Sequence, residues 1–279
     1  MRKLIATLAL LCVGLFAASQ SFAFSLMMNG EPYYGPVQFK YNNWDYGTLY
    51  QVGTSIDHEG EGSGSVDSWG IFRVSVIEGY DSISGLWKTV WSPTSTESLK
   101  GWFYGLSDDK VNIGLDGKGT IYSVGGILEM YLGPDNLTPN AGPQIPPSGN
   151  MSWVPTDLYH VTDGTLFLSA AFVPGISLTD STTTYAQTLN AATQPISGVG
   201  FGYLAVTGGA YQWMFDSNGY NGGTADFLLQ ANFNGPGPFN WTVSSYDPVK
   251  GRAIPEPASM VLLGIGLLGA VKTLKRKKG

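Results

Sequence analysis

The sequence predicts an all-β protein: an antiparallel β-sandwich or jelly-roll-like globular region, with a signal helix before it and a single hydrophobic helix after it. Three observations carry that expectation. Glycine is 38 of 279 residues, nearly twice the usual ~7%. Alternation of apolar and polar residues with period two recurs along the chain, while no stretch rich in Ala, Glu, Lys and Leu offers a helical core element. Glycine- and asparagine-containing turn signals separate the alternating runs: Asp116-Gly117, Asp163-Gly164, Asn218-Gly219, Asn221-Gly222-Gly223 and Gly235-Pro236-Gly237-Pro238.

Taken in order, the chain begins with Arg2 and Lys3, an apolar run from Leu4 to Ala18, and small residues at Ser21 and Ala23. That is the pattern of a secretory signal peptide over 1–23, with cleavage expected after Ala23. The only cysteine, Cys12, falls inside it, so the mature chain has neither a disulfide nor a thiolate to work with. The expected exported domain spans 24–250. Its strand faces are Phe72-Val74-Val76, Val111-Ile113-Leu115, Leu128-Met130-Leu132 and Leu166-Leu168-Ala170-Phe172, then Phe201-Tyr203, Tyr211-Trp213-Phe215, Phe227-Leu229-Ala231-Phe233 and Phe239-Trp241-Val243. Thr94-Ser95-Thr96-Glu97 fits a capping box and predicts a turn or two of helix after it. The proline-rich stretch 133–150 reads as a long loop or a linker. One globular unit is expected, because no composition shift separates the halves.

Charge narrows the function. From Phe24 to Arg252 eight basic residues stand against twenty acidic ones, a net −12 that the overall −6 conceals. Such a surface is a poor partner for nucleic acid or anionic lipid. The only histidines, His58 and His160, fit no zinc spacing, and no nucleophile elbow or phosphate-cradling glycine loop occurs. Asp57, Glu59 and Glu61 place carboxylates at every second residue of a glycine-rich loop, but without a calcium-loop pattern, so no metal ligands are assigned. Asp108-Asp109 and Asp116-Gly117 read as a turn and a hairpin. The eight tryptophans (Trp44, Trp69, Trp87, Trp91, Trp102, Trp153, Trp213 and Trp241) all lie in the exported part. Exposed, they would suit sugar rings; in the core they would be ordinary. No catalytic residue and no cofactor follow from the pattern, and the chain reads as non-enzymatic.

The last segment, 251–279, has three parts in fixed order. Pro255-Glu256-Pro257 comes first, then the uncharged run Ala258–Val271, then Lys272, Lys275, Arg276, Lys277 and Lys278. Fourteen helical residues span about 21 Å, short of the roughly 30 Å hydrocarbon core. A helix over about 258–274 with snorkelling lysines reaches across a thinned membrane, and the basic tail holds the C-terminus on the cytoplasmic side. These residues resemble the PEP-CTERM sorting signal of Gram-negative bacteria; an ordinary C-terminal anchor is the plainer alternative. The resemblance implies exosortase as processing partner, transient hold at the inner membrane after export, and delivery to the cell surface or extracellular matrix of a bacterium that makes exopolysaccharide. Pro255, Glu256 and Pro257 would be the residues read, and the basic tail would retain them at the membrane. The expected role is a non-enzymatic surface or matrix protein. The alternatives are a carbohydrate-binding module acting on exopolysaccharide through tryptophan faces, and a secreted hydrolase using His160 or paired carboxylates in a cleft.

Overall fold

A computed structural model describes residues 24–58, 68–143, 159–192, 196–246 and 248–255. Both terminal helices expected from the sequence lie outside the described residues. A two-stranded hairpin, β1 (Met27–Met28) and β2 (Glu31–Pro32), precedes the long β3 (Gly35–Gly47) and the short β4 (Ser55–Asp57). Then come β5 (Ser68–Asp81), β6 (Leu86–Trp91), β7 (Ser98–Ile113), β8 (Lys118–Gly133), β9 (Thr165–Val173), β10 (Tyr185–Asn190) and β11 (Ser197–Gly208). A four-residue helix, α1 (Gln212–Phe215), leads to β12 (Phe227–Asn234), β13 (Val243–Ser245) and β14 (Val249–Ala253).

The all-β, antiparallel expectation holds. The pairings add what periodicity did not contain: the sheet closes on itself. β3 pairs with β5, β5 with β7, and β7 with β8. β8 pairs with both β9 and β10, which lie end to end and both pair with β11. β11 pairs with β12, β12 with β13 and β14, and these two pair back onto β3. β4 and β6 extend the β5 and β7 positions, pairing with β7 and β5 in turn. The result is an eight-position meander barrel in which each position pairs with the next in sequence. A sandwich with both edges sealed has this form, but the Greek-key crossings of a jelly roll are absent among the described strands. Alternation and turn residues are common to all three architectures, so strand order was open until the pairings closed it.

Inward-facing residues form the core: Val37, Phe39 and Tyr41 of β3, Phe72 and Val74 of β5, Leu128 and Met130 of β8, and Leu168, Ala170 and Phe172 of β9. Outward positions on β3, such as Pro36 and Asn42, are exposed. One end of the barrel is plugged. Phe24 packs edge-on against Phe167 at 4.7 Å, and Phe167 stacks on Tyr211 at 4.8 Å. Phe215 of α1 reaches Phe39 at 5.4 Å. The Phe24 N–H donates to the Tyr211 hydroxyl at 3.2 Å. The first residue after the expected cleavage site is thus part of the plug.

Several local expectations are corrected. Tyr211-Trp213-Phe215 is a turn and a short helix, not a strand, because the chain must bend back under the barrel after Gly208 and Gly209. Phe239 and Trp241 belong to the loop before β13, where Pro238 interrupts the alternation, and only Val243 is in the strand. Leu115 stands exposed in the β7–β8 hairpin turn. The capping-box bond does form, with Glu97 N–H donating to Thr94 Oγ1 at 3.0 Å, but β7 follows it directly and no helix forms. Asp108 and Asp109 sit buried within β7 at a bulge and make no turn, whereas Asp116-Gly117 does form the expected hairpin.

A second cluster lies on the outer wall. Trp69 and Ile71 of β5 and Trp102 and Tyr104 of β7 pack beneath Tyr159, Val161 and Trp241. The chain after β8 folds back over this face: Trp241 Nε1–H donates to the Pro139 carbonyl at 2.8 Å, and the Tyr159 hydroxyl to the Gly142 carbonyl at 2.7 Å. Residues 134–143 of the proline-rich stretch therefore cover sheet, and 144–150 lie outside the described residues.

Truncating the plug tests its weight. Phe24→Ala is expected to destabilise the protein by about 3–5 kcal/mol, the usual cost of removing a buried phenyl ring. Ile83→Ala, at a position 96% exposed in the β5–β6 turn, is expected to cost under about 0.5 kcal/mol. Urea unfolding followed by tryptophan fluorescence separates the two.

Candidate functional site

Two features stand apart from ordinary packing: the exit of the C-terminal segment at one end of the barrel, and a cavity opening toward the other. β3 joins them. Its start, Gly35, pairs with Ala253, the last residue of β14. Its end, from Asp45 to Gly47, lines the cavity. Ten residues of strand separate the two ends by roughly 30 Å.

At the plugged end β14 leads the chain to Pro255 at the surface. Ala253 is buried, Ile254 donates its N–H to the Met214 carbonyl at 2.9 Å, and Pro255 is exposed. The last strand thus ends one residue short of the Pro-Glu-Pro block. Glu256, Pro257 and the basic residues Lys272, Lys275, Arg276, Lys277 and Lys278 lie outside the described residues.

The cavity inside the barrel has a volume of about 140 Å3. Its lower wall is apolar, with Phe72, Leu128, Leu168, Phe172 and Leu204 among the lining side chains. Asn43, Asp45, Tyr185 and Gln187 supply polar atoms above them. Asn43 is a relay: its amide donates to both Asp45 carboxylate oxygens at 2.8 and 3.0 Å, while its oxygen accepts from Ser245 N–H at 2.7 Å. Gly70 makes room for Asp45, since a Cβ there would lie 2.5 Å from Oδ1. Loss of water around Asp45 raises its carboxyl well above the usual carboxylate range, and the Asn43 hydrogen bond opposes this only in part. Tyr185 is likewise driven up, first by desolvation and then by the charges of Asp45 and Asp108. Asp108 is held on the wall by Ser123 at 2.8 Å and Tyr50 at 2.9 Å.

The sequence did not single out Asp45, Tyr185 or Gln187, and isolated polar residues in alternating strands carry no signal of their own. The histidines are not brought together. His58 Nδ1 lies 3.1 Å from the Asp109 carbonyl, near the start of the 59–67 stretch. His160 pairs with Asp163 at 3.0 Å on the outer loop, where Asp163 also accepts from Asn136. Asp57 is exposed at the end of β4, and Glu59 and Glu61 lie outside the described residues. No group of three or more metal-binding side chains occurs among the described residues. Trp69, Trp91, Trp102 and Trp241 are buried, and Trp87 is 39% exposed beside Tyr80; Trp153 lies outside the described residues.

The family model of the PEP-CTERM protein-sorting motif matches residues 253–277. The match begins at the final residue of β14, so sorting signal and folded body meet with no spacer between them. No curated protein and no solved structure matches the chain.

The carboxyl of Asp45 gives a pH test. Its folded-state pKa lies above the unfolded value of about 3.9, so its contribution to stability is complete below that value and is lost as pH rises through the folded pKa. Asp45→Asn keeps an acceptor for Asn43 and has no charge to bury. The variant is expected to be more stable than the wild type at pH 7, with the difference shrinking as pH falls toward about 4. Urea midpoints measured across pH 4–8 check the sign.

Proposed function

We propose that this protein is an exported, non-enzymatic β-barrel that the PEP-CTERM route carries to the cell surface or the extracellular polymer matrix, with exosortase as its processing partner. The observation that carries the reading is the sorting-motif match over 253–277, starting where the barrel ends and where Pro255 turns exposed. An extended chain covers at most about 3.6 Å per residue. Three residues, Pro255 to Pro257, therefore hold the closed end of the barrel within about 11 Å of the apolar run that begins at Ala258. While the run sits in the inner membrane, the plugged end faces the bilayer and the cavity faces away. The basic tail keeps the C-terminus cytoplasmic, which presents the Pro-Glu-Pro block on the exported side, at the membrane surface. The acidic body, low in lysine, suits a protein kept soluble once released.

The inward face is apolar while outward positions on β3 and β5 include Lys40, Asn42, Arg73 and Ser75. Barrels that cross membranes carry the reverse arrangement, so the barrel is read as cargo and the C-terminal run as the only anchor proposed. The carbohydrate-binding alternative rests on exposed tryptophan faces, and four of those indoles are committed to the packed clusters.

Replacing Pro255, Glu256 and Pro257 with alanine is expected to leave the barrel folded and the protein membrane-held. The measurement is mass spectrometry of the mature C-terminus together with fractionation, with and without exosortase. Normal release of the alanine variant would sink the processing claim.

A further inference from the structure

The inward-facing core does not fill the barrel completely. Eight barrel positions leave room for side chains alone or for one small ligand, and here about 140 Å3 is left open. An apolar cavity of about 150 Å3 accepts a benzene-sized guest, so the space matches one ring.

The polar groups at the cavity are arranged for a guest as well. Tyr185 projects from β10 and Gln187 follows it on the same face. Neither the Tyr185 hydroxyl nor the Gln187 amide hydrogen-bonds to a described residue, although both line the cavity. Tyr185 is held in place by packing. Its ring meets Phe172 edge-on at 6.0 Å, and its hydroxyl lies against Gly200, where a Cβ would come within 1.8 Å. The neighbouring β11 glycines Gly198 and Gly202 are covered by Phe233 and Phe172 in the same way. The phenol is fixed by packing, and its hydroxyl is left free to pair with a guest in a cavity that Asn43, Asp45 and Gln187 also line. The Asp45 carboxylate and its Asn43 donor sit on the same lining. Among the described residues no lysine or arginine lines the cavity, so no described cation would neutralise an anion there, and Asp45 on the same lining disfavours one. Thr48 and Leu49 are exposed where β3 ends and also line the cavity, which opens it at the end away from the plug.

We propose that the barrel binds, inside this cavity, a small uncharged molecule of about one ring that is apolar over most of its surface and carries one hydroxyl group. The ring lies among Phe72, Leu128, Leu168 and Phe172, and the hydroxyl pairs with Tyr185 and Gln187. This site is independent of the sorting signal and holds whether or not the tail is processed.

The experiment is calorimetric titration of the full-length chain with phenol, benzene, benzoate and benzylammonium. Saturable binding of phenol, several-fold tighter than benzene and with benzoate not bound, is the expected result. Tyr185→Phe is expected to weaken phenol by about 2- to 10-fold, the usual worth of one hydrogen bond, and to leave benzene within about 2-fold. Ala170→Leu, which fills the cavity from β9, is expected to abolish binding of both while circular dichroism shows the barrel intact; should that variant not fold, the Tyr185→Phe ratio decides. Absence of saturable phenol binding to the wild type overturns the site. An unchanged phenol-to-benzene ratio in Tyr185→Phe overturns the placement of the hydroxyl. Tighter binding of benzylammonium than of phenol overturns the assignment of an uncharged ligand.

Discussion

Pairing of β13 and β14 with β3 is the constraint on which the other features rest. It joins the last strands of the body to the first long one and closes the circuit of long strands, so that among the described residues the short β4 and β6 are each paired on one side, which limits the exposure that open sheets must otherwise guard against. Closure creates an inside. It also brings both ends of the folded body to one rim, because a meander of eight antiparallel positions returns its last strand beside its first and opposite in direction. Phe24 and Ile254 consequently meet the same helix-and-turn region, one at the Tyr211 hydroxyl and the other at the Met214 carbonyl.

That arrangement divides the molecule by task. At the rim where the termini gather, aromatic rings from Phe24, Phe167, Tyr211 and Phe215 fill the bore. At the other rim, β3 runs out at Gly47 and polar side chains appear on the inner wall. The gradient from a sealed apolar end to a more polar opening is built by the order of residues along single strands. β3 shows it clearly, passing from Val37 and Phe39 through Tyr41 to Asn43 and Asp45 on one inward face.

Desolvating the Asp45 carboxyl is costly by itself, and a chain of hydrogen bonds offsets that cost in part. No cation pairs with Asp45 among the described residues. The chain runs from Ser245 through Asn43 to the carboxylate. Surface ion pairs such as Lys40–Glu78 and Arg73–Asp135 are the kind that contribute little to stability. With no disulfide in the described body, the packed clusters inside and outside the barrel wall carry the fold. The outer one gives the proline-rich stretch a purpose: Pro134 and Asn136 also accept from the buried ammonium of Lys100, so residues after β8 cap a charge as well as an aromatic patch.

Much was legible in the residues. Period-two runs such as Leu128-Met130-Leu132 and Phe227-Leu229-Ala231-Phe233 became inward strand faces because alternation maps directly onto the two sides of a pleated sheet. The sorting segment was readable for a similar reason: its meaning lies in local order along the chain, with a proline block, an apolar run and a basic end. Other features depended on partners distant in sequence. Tyr211-Trp213-Phe215 alternates like a strand, yet it turns under the barrel to fill its bore. Asp45, Tyr185 and Gln187 share a cavity only because β3 and β10 are placed around one closed ring. Closure and the space it encloses arise from pairings across some two hundred residues, such as Ala253 with Gly35, and a short-range pattern contains no information about which distant edge a strand will meet.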